Sequence, residues 1–160
     1  MIRRTLTGET ISDDHQIRTA RSIMMSVPPC LLTTICADGD FYSVPLRTQE
    51  AEYHGRSWFI ADRTSRTVQN LIARPHVKLF FANASSWLSL RGTASVVDDA
   101  AKKDELWNTF TKARFPGGKD DPSVCVIRVV GIGALYWREP WNGARLGLDD
   151  CGTGDQRDSR

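Results

Sequence analysis

A strong charge of either sign, a long apolar run and a cluster of metal ligands are all missing from this chain. Each absence removes a class of function. Across 160 residues the net charge is +2, and the lysines and arginines form no dense block. Nothing therefore points to nucleic acid or to an anionic membrane surface. No apolar run approaches the roughly 20 residues that a membrane-spanning helix needs. Met1-Ile2-Arg3-Arg4 is followed by polar residues rather than the apolar core of a signal peptide, so a cytoplasmic protein is expected.

Cysteine is sparse as well. Cys30, Cys36, Cys125 and Cys151 form no C-x-x-C and no other metal spacing. Cys30 and Cys36 fall in one expected strand, about 20 Å apart at roughly 3.3 Å per residue, too far to bridge or to share a metal. Three of the four read as buried small hydrophobes or near-surface thiols, and Cys151 reads as an exposed thiol. His15, His54 and His76 are scattered, which leaves no convergent metal ligand set. A Gly-x-Ser-x-Gly elbow is absent, so a serine hydrolase has no support. Gly131-Ile132-Gly133 lacks the third glycine and the helix of a dinucleotide fingerprint and reads as a turn. Asp98/Asp99 and Asp120/Asp121 read as a helix cap and a solvated loop rather than an acid–base pair.

What is present is an ordinary globular composition, 41% hydrophobic and 25% charged, in a chain long enough for a real core. One domain over 12–148 is expected, with 1–11 as a lead-in and 149–160 as a disordered polar tail. Ser12 can cap a helix whose apolar face is Ile17, Ala20, Met24 and Val27 and which stops at Pro28-Pro29. Cys30–Cys36 and Phe41–Gln49 read as strands joined by a two-residue hairpin turn at Asp38-Gly39. Arg56–Ala61, Val77–Ala82 and Ser86–Val97 are further strands. In the last, Leu88, Leu90, Gly92, Ala94 and Val96 share one face. Asp98 caps a third helix with Leu106, Trp107 and Phe110 as its buried stripe. Val124–Val130 and Ala134–Trp137 read as strands joined around Gly131 and Gly133. Six or seven short strands with about three helices, without regular strand–helix alternation, predict a mainly β, α+β chain closed or partly closed into a barrel.

One stretch carries chemistry. Trp58-Phe59-Ile60-Ala61 opens as a strand, Asp62–Ser65 turns, and Val68, Leu71 and Ile72 recur at helical spacing. Thr64 or Ser65 can cap the helix, while Arg63 and Arg66 add positive charge where the free amides and the helix dipole already favour an anion. Hydroxyls, amides and guanidinium groups on one turn suit a phosphate. The plain alternative is a capped helix with two solvated arginines. Neither reading names a reaction.

Ser86-Trp87-Leu88-Ser89-Leu90-Arg91-Gly92-Thr93-Ala94, then Leu106-Trp107, Phe115-Pro116-Gly117-Gly118, Asp120-Asp121-Pro122 and Tyr136-Trp137, resemble in order and spacing the general stress protein branch of the pyridoxamine 5′-phosphate oxidase-like family. Leu32-Thr33-Thr34, Asp38-Gly39, Ser43-Val44-Pro45-Leu46 and Trp58-Phe59 extend the resemblance to about residues 13–138. The resemblance implies a split β-barrel that forms a homodimer and holds flavin mononucleotide (FMN) in clefts between subunits. It implies that Val44, Pro45, Leu46 and Gln49 lie along the flavin ring. Phe59, Ile60, Ala61, Ser65, Arg66 and Thr67 would take the ribityl chain and phosphate. Trp87 and Trp137 are candidates for aromatic cover from the neighbouring subunit, with interface or core packing as their alternative role.

The chain departs from the family pattern at three of these positions. Val44 stands in place of an arginine, Ala61 in place of a threonine, and Thr67 in place of the lysine that meets the phosphate. Each lost charge-assisted hydrogen bond costs about 1.5–3 kcal/mol, or roughly 10- to 150-fold in affinity. Arg66 can substitute for the lysine, because a guanidinium group grips phosphate. The resemblance thus implies an FMN-dependent oxidoreductase with a small-molecule electron donor or acceptor and no catalytic side chain of its own. Pyridoxamine phosphate oxidation itself is not expected, because the segment after Trp137 does not resemble that enzyme's substrate-binding end. Two alternatives stay open. One is a flavin-binding stress module without turnover; the other is a split barrel that has lost FMN and takes a deazaflavin, haem or a protein partner.

Overall fold

The alternating apolar residues of 86–97 form a strand at the middle of an antiparallel sheet in the computed structural model of the chain. The structure describes residues 3–4, 10–11, 13–26, 29–47, 55–138 and 142–147. In chain order the first elements are β1 (Arg3–Arg4), β2 (Thr10–Ile11), α1 (Asp13–Ser26), β3 (Pro29–Ile35), β4 (Phe41–Arg47), β5 (Arg56–Asp62) and α2 (Arg66–Ala73). There follow β6 (His76–Ala82), β7 (Ser86–Val97), α3 (Ala100–Leu106), α4 (Thr109–Arg114), β8 (Val124–Arg138) and β9 (Asn142–Gly147). β1 pairs with β2 by itself. The other seven strands make one curled sheet in the order β4-β3-β6-β7-β8-β5, with β9 also on β8. The long strand β8 pairs along one edge with β7 and along the other with β5 and then β9. Among the described residues the result is a half-barrel whose edge strands are β4, β5 and β9.

The concave, inner face holds the main core. Leu32, Phe59, Leu79, Phe81, Leu88 and Ile127 meet Ile23 of α1 and Val68 and Leu71 of α2 in one cluster. Burial of each large side chain contributes about 1.5–3 kcal/mol. A smaller cluster lies on the outer face under α3, where Ile60, Leu106, Val124 and Val126 pack with Trp58, Trp107 and Phe115. β5 is therefore covered on both faces along its centre. β4 differs: Tyr42, Val44 and Leu46 on its inner side are only half covered, and Phe41, Ser43, Pro45 and Arg47 on its outer side are exposed.

Several expectations change in detail. The β3–β4 turn is three residues, Ala37 to Gly39, closed by Cys36 N–H to the Asp40 carbonyl at 2.8 Å and by Gly39 N–H to the Cys36 carbonyl at 3.0 Å. Gly39 takes φ 90°, the left-handed conformation that such a turn needs at its last residue. Val124–Arg138 is one strand, not two: Arg91 pairs with Gly133 and Gly92 with Gly131, so Ile132 is an extra residue and the glycine pair marks a bulge. The third helix is two. Asp99, not Asp98, caps α3, and Asn108 caps α4, its side chain accepting from the Thr111 N–H while its own N–H donates to the Thr111 hydroxyl. Phe110 is consequently 49% exposed, under the Arg47 guanidinium. On α1 the buried face is Thr19, Ala20, Ile23 and Met24, and Ile17 is exposed. On α2, Thr67 is buried and Ile72 exposed, one helical step from the expected stripe. The Ser12 cap, Val27, Gln49, Cys151 and the tail from Asp149 lie outside the described residues.

Candidate functional site

The turn between β5 and α2 forms as its residue types require. Ser65 adopts an extended backbone at the N-cap, and its hydroxyl accepts from the Val68 N–H at 3.3 Å. The Asp62 carboxylate folds the turn by accepting from the Thr64 hydroxyl at 2.7 Å and the Thr64 N–H at 2.8 Å. Those bonds, the hydroxyl's first, hold its carboxyl below the ordinary value. Arg63 donates to Asp98 at 2.6 Å, which raises its already high pKa and sets a carboxylate beside its guanidinium. The backbone N–H groups of Arg66 and Thr67, in the first turn of α2, donate to no acceptor among the described residues.

Arg66 points toward the β3–β4 hairpin. Its guanidinium lies 4.7 Å from the centre of the Tyr42 ring and donates to Cys36 Sγ at 3.3 Å. Asn70 of α2 and Arg74, the residue that caps its C-terminus, bind the same hairpin: Asn70 donates to Thr34 Oγ1 at 3.0 Å, and Arg74 donates to the Ala37 carbonyl at 2.9 Å. This contact brings the half-covered row of β4, which includes Val44 and Leu46, beside the helix N-terminus. Sequence reasoning missed Tyr42, Cys36 and Asn70. Only the i, i+4, i+8 spacing of Arg66, Asn70 and Arg74 hinted that one polar stripe of α2 faces a neighbour.

The expected residues take three different positions. Arg66 is exposed at the mouth of the half-barrel, with Val44 and Leu46 half-exposed nearby. Phe59, Ile60, Ala61 and Thr67 are 0%, 6%, 6% and 6% exposed, so their side chains are spent on packing. Among the described residues no strand pairs with the other side of β5, so what it can offer a ligand there is its backbone edge. Pro45, Trp87 and Trp137 lie on the outer face, because their strand neighbours Leu46, Leu88 and Tyr136 point inward. Trp87 and Trp137 are directly opposite each other on β7 and β8. One protomer thus joins Arg66 to the β4 inner row but separates both from the tryptophan pair.

Among the described residues no group of three or more His, Cys, Asp or Glu side chains is placed to hold a metal. No described helix is long and apolar enough to cross a membrane. A family model described as pyridoxamine 5′-phosphate oxidase like matches residues 15–148. Protein bli-3 of Neurospora crassa is 33% identical in an alignment of 88 positions that covers 49% of this chain and 42% of that protein. The chain thus spans about two-fifths of that relative's length. Among solved structures, a protein related to general stress protein 26 from Clostridium acetobutylicum superposes with TM-score 0.74 at 20% identity, covering 87% of this chain and 98% of that one. A heme binding protein from Mycobacterium smegmatis superposes with TM-score 0.68 at 14% identity, covering 86% of this chain and 59% of that one.

Proposed function

Because the chain belongs to the pyridoxamine 5′-phosphate oxidase-like family, we propose that it is a cytoplasmic FMN-binding protein of the general stress type and a flavin-dependent oxidoreductase. The observation that carries this reading is the Arg66–Tyr42 contact. It joins the turn expected to take a phosphate to the strand expected to run along the flavin ring. The residues fit the group in outline. Val44 and Leu46 offer a half-exposed apolar row; among the described residues β4 also has an unpaired backbone edge, and α2 has two unpaired amides beside the exposed guanidinium of Arg66. Among the described residues Arg66 has no carboxylate partner, whereas Arg63 of the same turn is paired with Asp98. FMN, when bound, would supply the electron-transfer chemistry, and the chain's residues would bind and orient it.

The placement of the tryptophans supports a homodimeric site. Trp87 and Trp137 face away from the β4 inner row, so they can cover a flavin held by a second copy but not one held by their own. The test is a titration of purified protein with FMN, followed by flavin fluorescence, with sedimentation to read the mass. Saturation near one FMN per chain is expected, with affinity about tenfold or more weaker in Arg66→Gln, the loss expected for a charged hydrogen bond. Absence of binding at micromolar protein, or an unchanged affinity in Arg66→Gln, would refute the site. A haem alternative draws on the fold likeness to the mycobacterial protein, and titration with haemin in place of FMN separates the two.

A further inference from the structure

Helix α2 begins with a positive charge where a helix disfavours one. Arg66 is its first residue, and the amides of Arg66 and Thr67 donate to no acceptor among the described residues. The dipole gives that end partial positive charge of its own, so the helix repels the guanidinium it carries. Holding so long a side chain in one place also costs rotamer entropy. The hold on Arg66 therefore comes from outside the helix.

It comes from the β3–β4 hairpin. The guanidinium carbon lies 4.7 Å from the centre of the Tyr42 ring, and Nη2 donates to Cys36 Sγ at 3.3 Å. An aromatic face attracts a cation through its quadrupole and leaves the charge uncancelled. A carboxylate, like the Asp98 that meets Arg63, sets an opposite charge against it. Among the described residues the stack on Tyr42 takes none of the N–H groups of Arg66, and Cys36 engages only Nη2. A guanidinium has five donors, so most remain for a ligand.

The ring is fixed by the same contacts that dock the helix. Tyr42 pairs in register with Thr34 of β3, whose buried hydroxyl donates to the Tyr42 carbonyl at 3.3 Å. Asn70, four residues beyond Arg66, donates to Thr34 Oγ1 at 3.0 Å and to Cys36 Sγ at 3.6 Å. Helix, ring and guanidinium thus form one unit. The inner row of β4, Tyr42 with Val44 and Leu46, brings no cation of its own but supplies the ring that holds one.

We propose that Tyr42 is a positioning residue for Arg66. Its ring holds the guanidinium beside the unpaired amides of α2 with the charge intact, so that an anion meets guanidinium and amides already in place. The inference rests on the reading of this turn as the phosphate end of an FMN site. Tyr42 acts through Arg66, and the effect of its ring on affinity vanishes when Arg66 is removed.

The experiment has two readouts on the full chain. In the ligand-free protein, nitrogen-15 NMR in mildly acidic buffer follows the Arg66 Nε–H resonance, assigned by its loss in Arg66→Gln. An upfield ring-current shift is expected in wild type and in Tyr42→Phe, and its loss in Tyr42→Leu. The second readout is FMN affinity by flavin fluorescence. Tyr42→Phe should bind within twofold of wild type, and Tyr42→Leu threefold or more weaker. In an Arg66→Gln background Tyr42→Leu should cost less than twofold further, whereas a ring that only packed, or that touched the flavin, would cost the same in both backgrounds. Circular dichroism checks the fold, and Tyr42→Ile repeats the comparison with a side chain that favours strands. No saturable FMN binding by the wild-type chain would overturn the flavin reading and this proposal together. Wild-type binding with an unshifted Arg66 resonance, equal losses in the two backgrounds, or an equal loss in Tyr42→Phe would overturn the proposal and leave the flavin reading standing.

Discussion

Replacing Gly92 with alanine is expected to destabilise this protein, although the same change at an open strand position would help it by about 0.5–1 kcal/mol. The reason is distance rather than backbone conformation. A Cβ on Gly92 would stand 2.7 Å from Val129 Cγ1 and 2.7 Å from the Val130 carbonyl oxygen. Both neighbours belong to β8 just before the bulge, where the partner strand carries its extra residue and comes closest to β7. The Val129 methyl can rotate only within a packed core, and the Val130 oxygen belongs to the main chain. Relief therefore requires the two central strands to separate. Overpacking of this kind costs typically 1–3 kcal/mol. Less the gain of about 0.5–1 kcal/mol from replacing glycine, the net loss centres on ~1.25 kcal/mol. For a chain of this size each kcal/mol moves the melting temperature by roughly 2–4 °C, so a fall of about 3–5 °C is expected. Thermal and urea unfolding followed by circular dichroism measure it, and an unchanged urea slope would assign the effect to the native state. A variant that melts at or above the wild-type temperature would refute the close approach of β7 and β8.

Two further outcomes follow from the titratable groups. Asp121 accepts from the Ser123 N–H at 2.8 Å and the Ser123 hydroxyl at 2.7 Å, and these bonds, the amide's first, hold its carboxyl below the ordinary value. A lowered carboxylate contributes stability above its unfolded pKa, near ~3.9, and that contribution is lost as pH falls through the lower folded value. Asp121→Asn should therefore flatten the acid limb of melting temperature against pH below about pH 4; parallel limbs would contradict the assignment. Cys30 is 2% exposed, and burial pushes its thiol up to about 12. Iodoacetamide at pH 8 should leave the Cys30 peptide unmodified in the native protein and modify it in urea, as read by mass spectrometry; rapid native labelling would place Cys30 outside the core.

Strands with one apolar face were legible because the two-residue period of a strand is written directly in the residues. Ser86–Val97 has the extent and face that its alternation predicts. Short helices were less legible. Leu106, Trp107 and Phe110 suggest one stripe, yet Asn108 offers a second cap that breaks the helix and turns Phe110 outward. The bulge at Ile132 was hidden for a related reason. Two glycines between apolar runs look the same whether the chain reverses or merely slips by one residue, and only the continuous pairing partner β7 separates those cases.

By itself the sequence determined the antiparallel, mainly β character, the Ser65-capped helix after Arg56–Asp62, and the family, since these depend on local period, local capping and ordered residue pattern. Only the tertiary structure decided how the candidate residues divide. It buried Phe59, Ile60, Ala61 and Thr67, paired Arg63 with Asp98, set Arg66 against Tyr42, and put Trp87 and Trp137 on the opposite face. These relations join residues that lie far apart in the chain, and they follow from strand order and register, which sheet closure selects and no local pattern encodes.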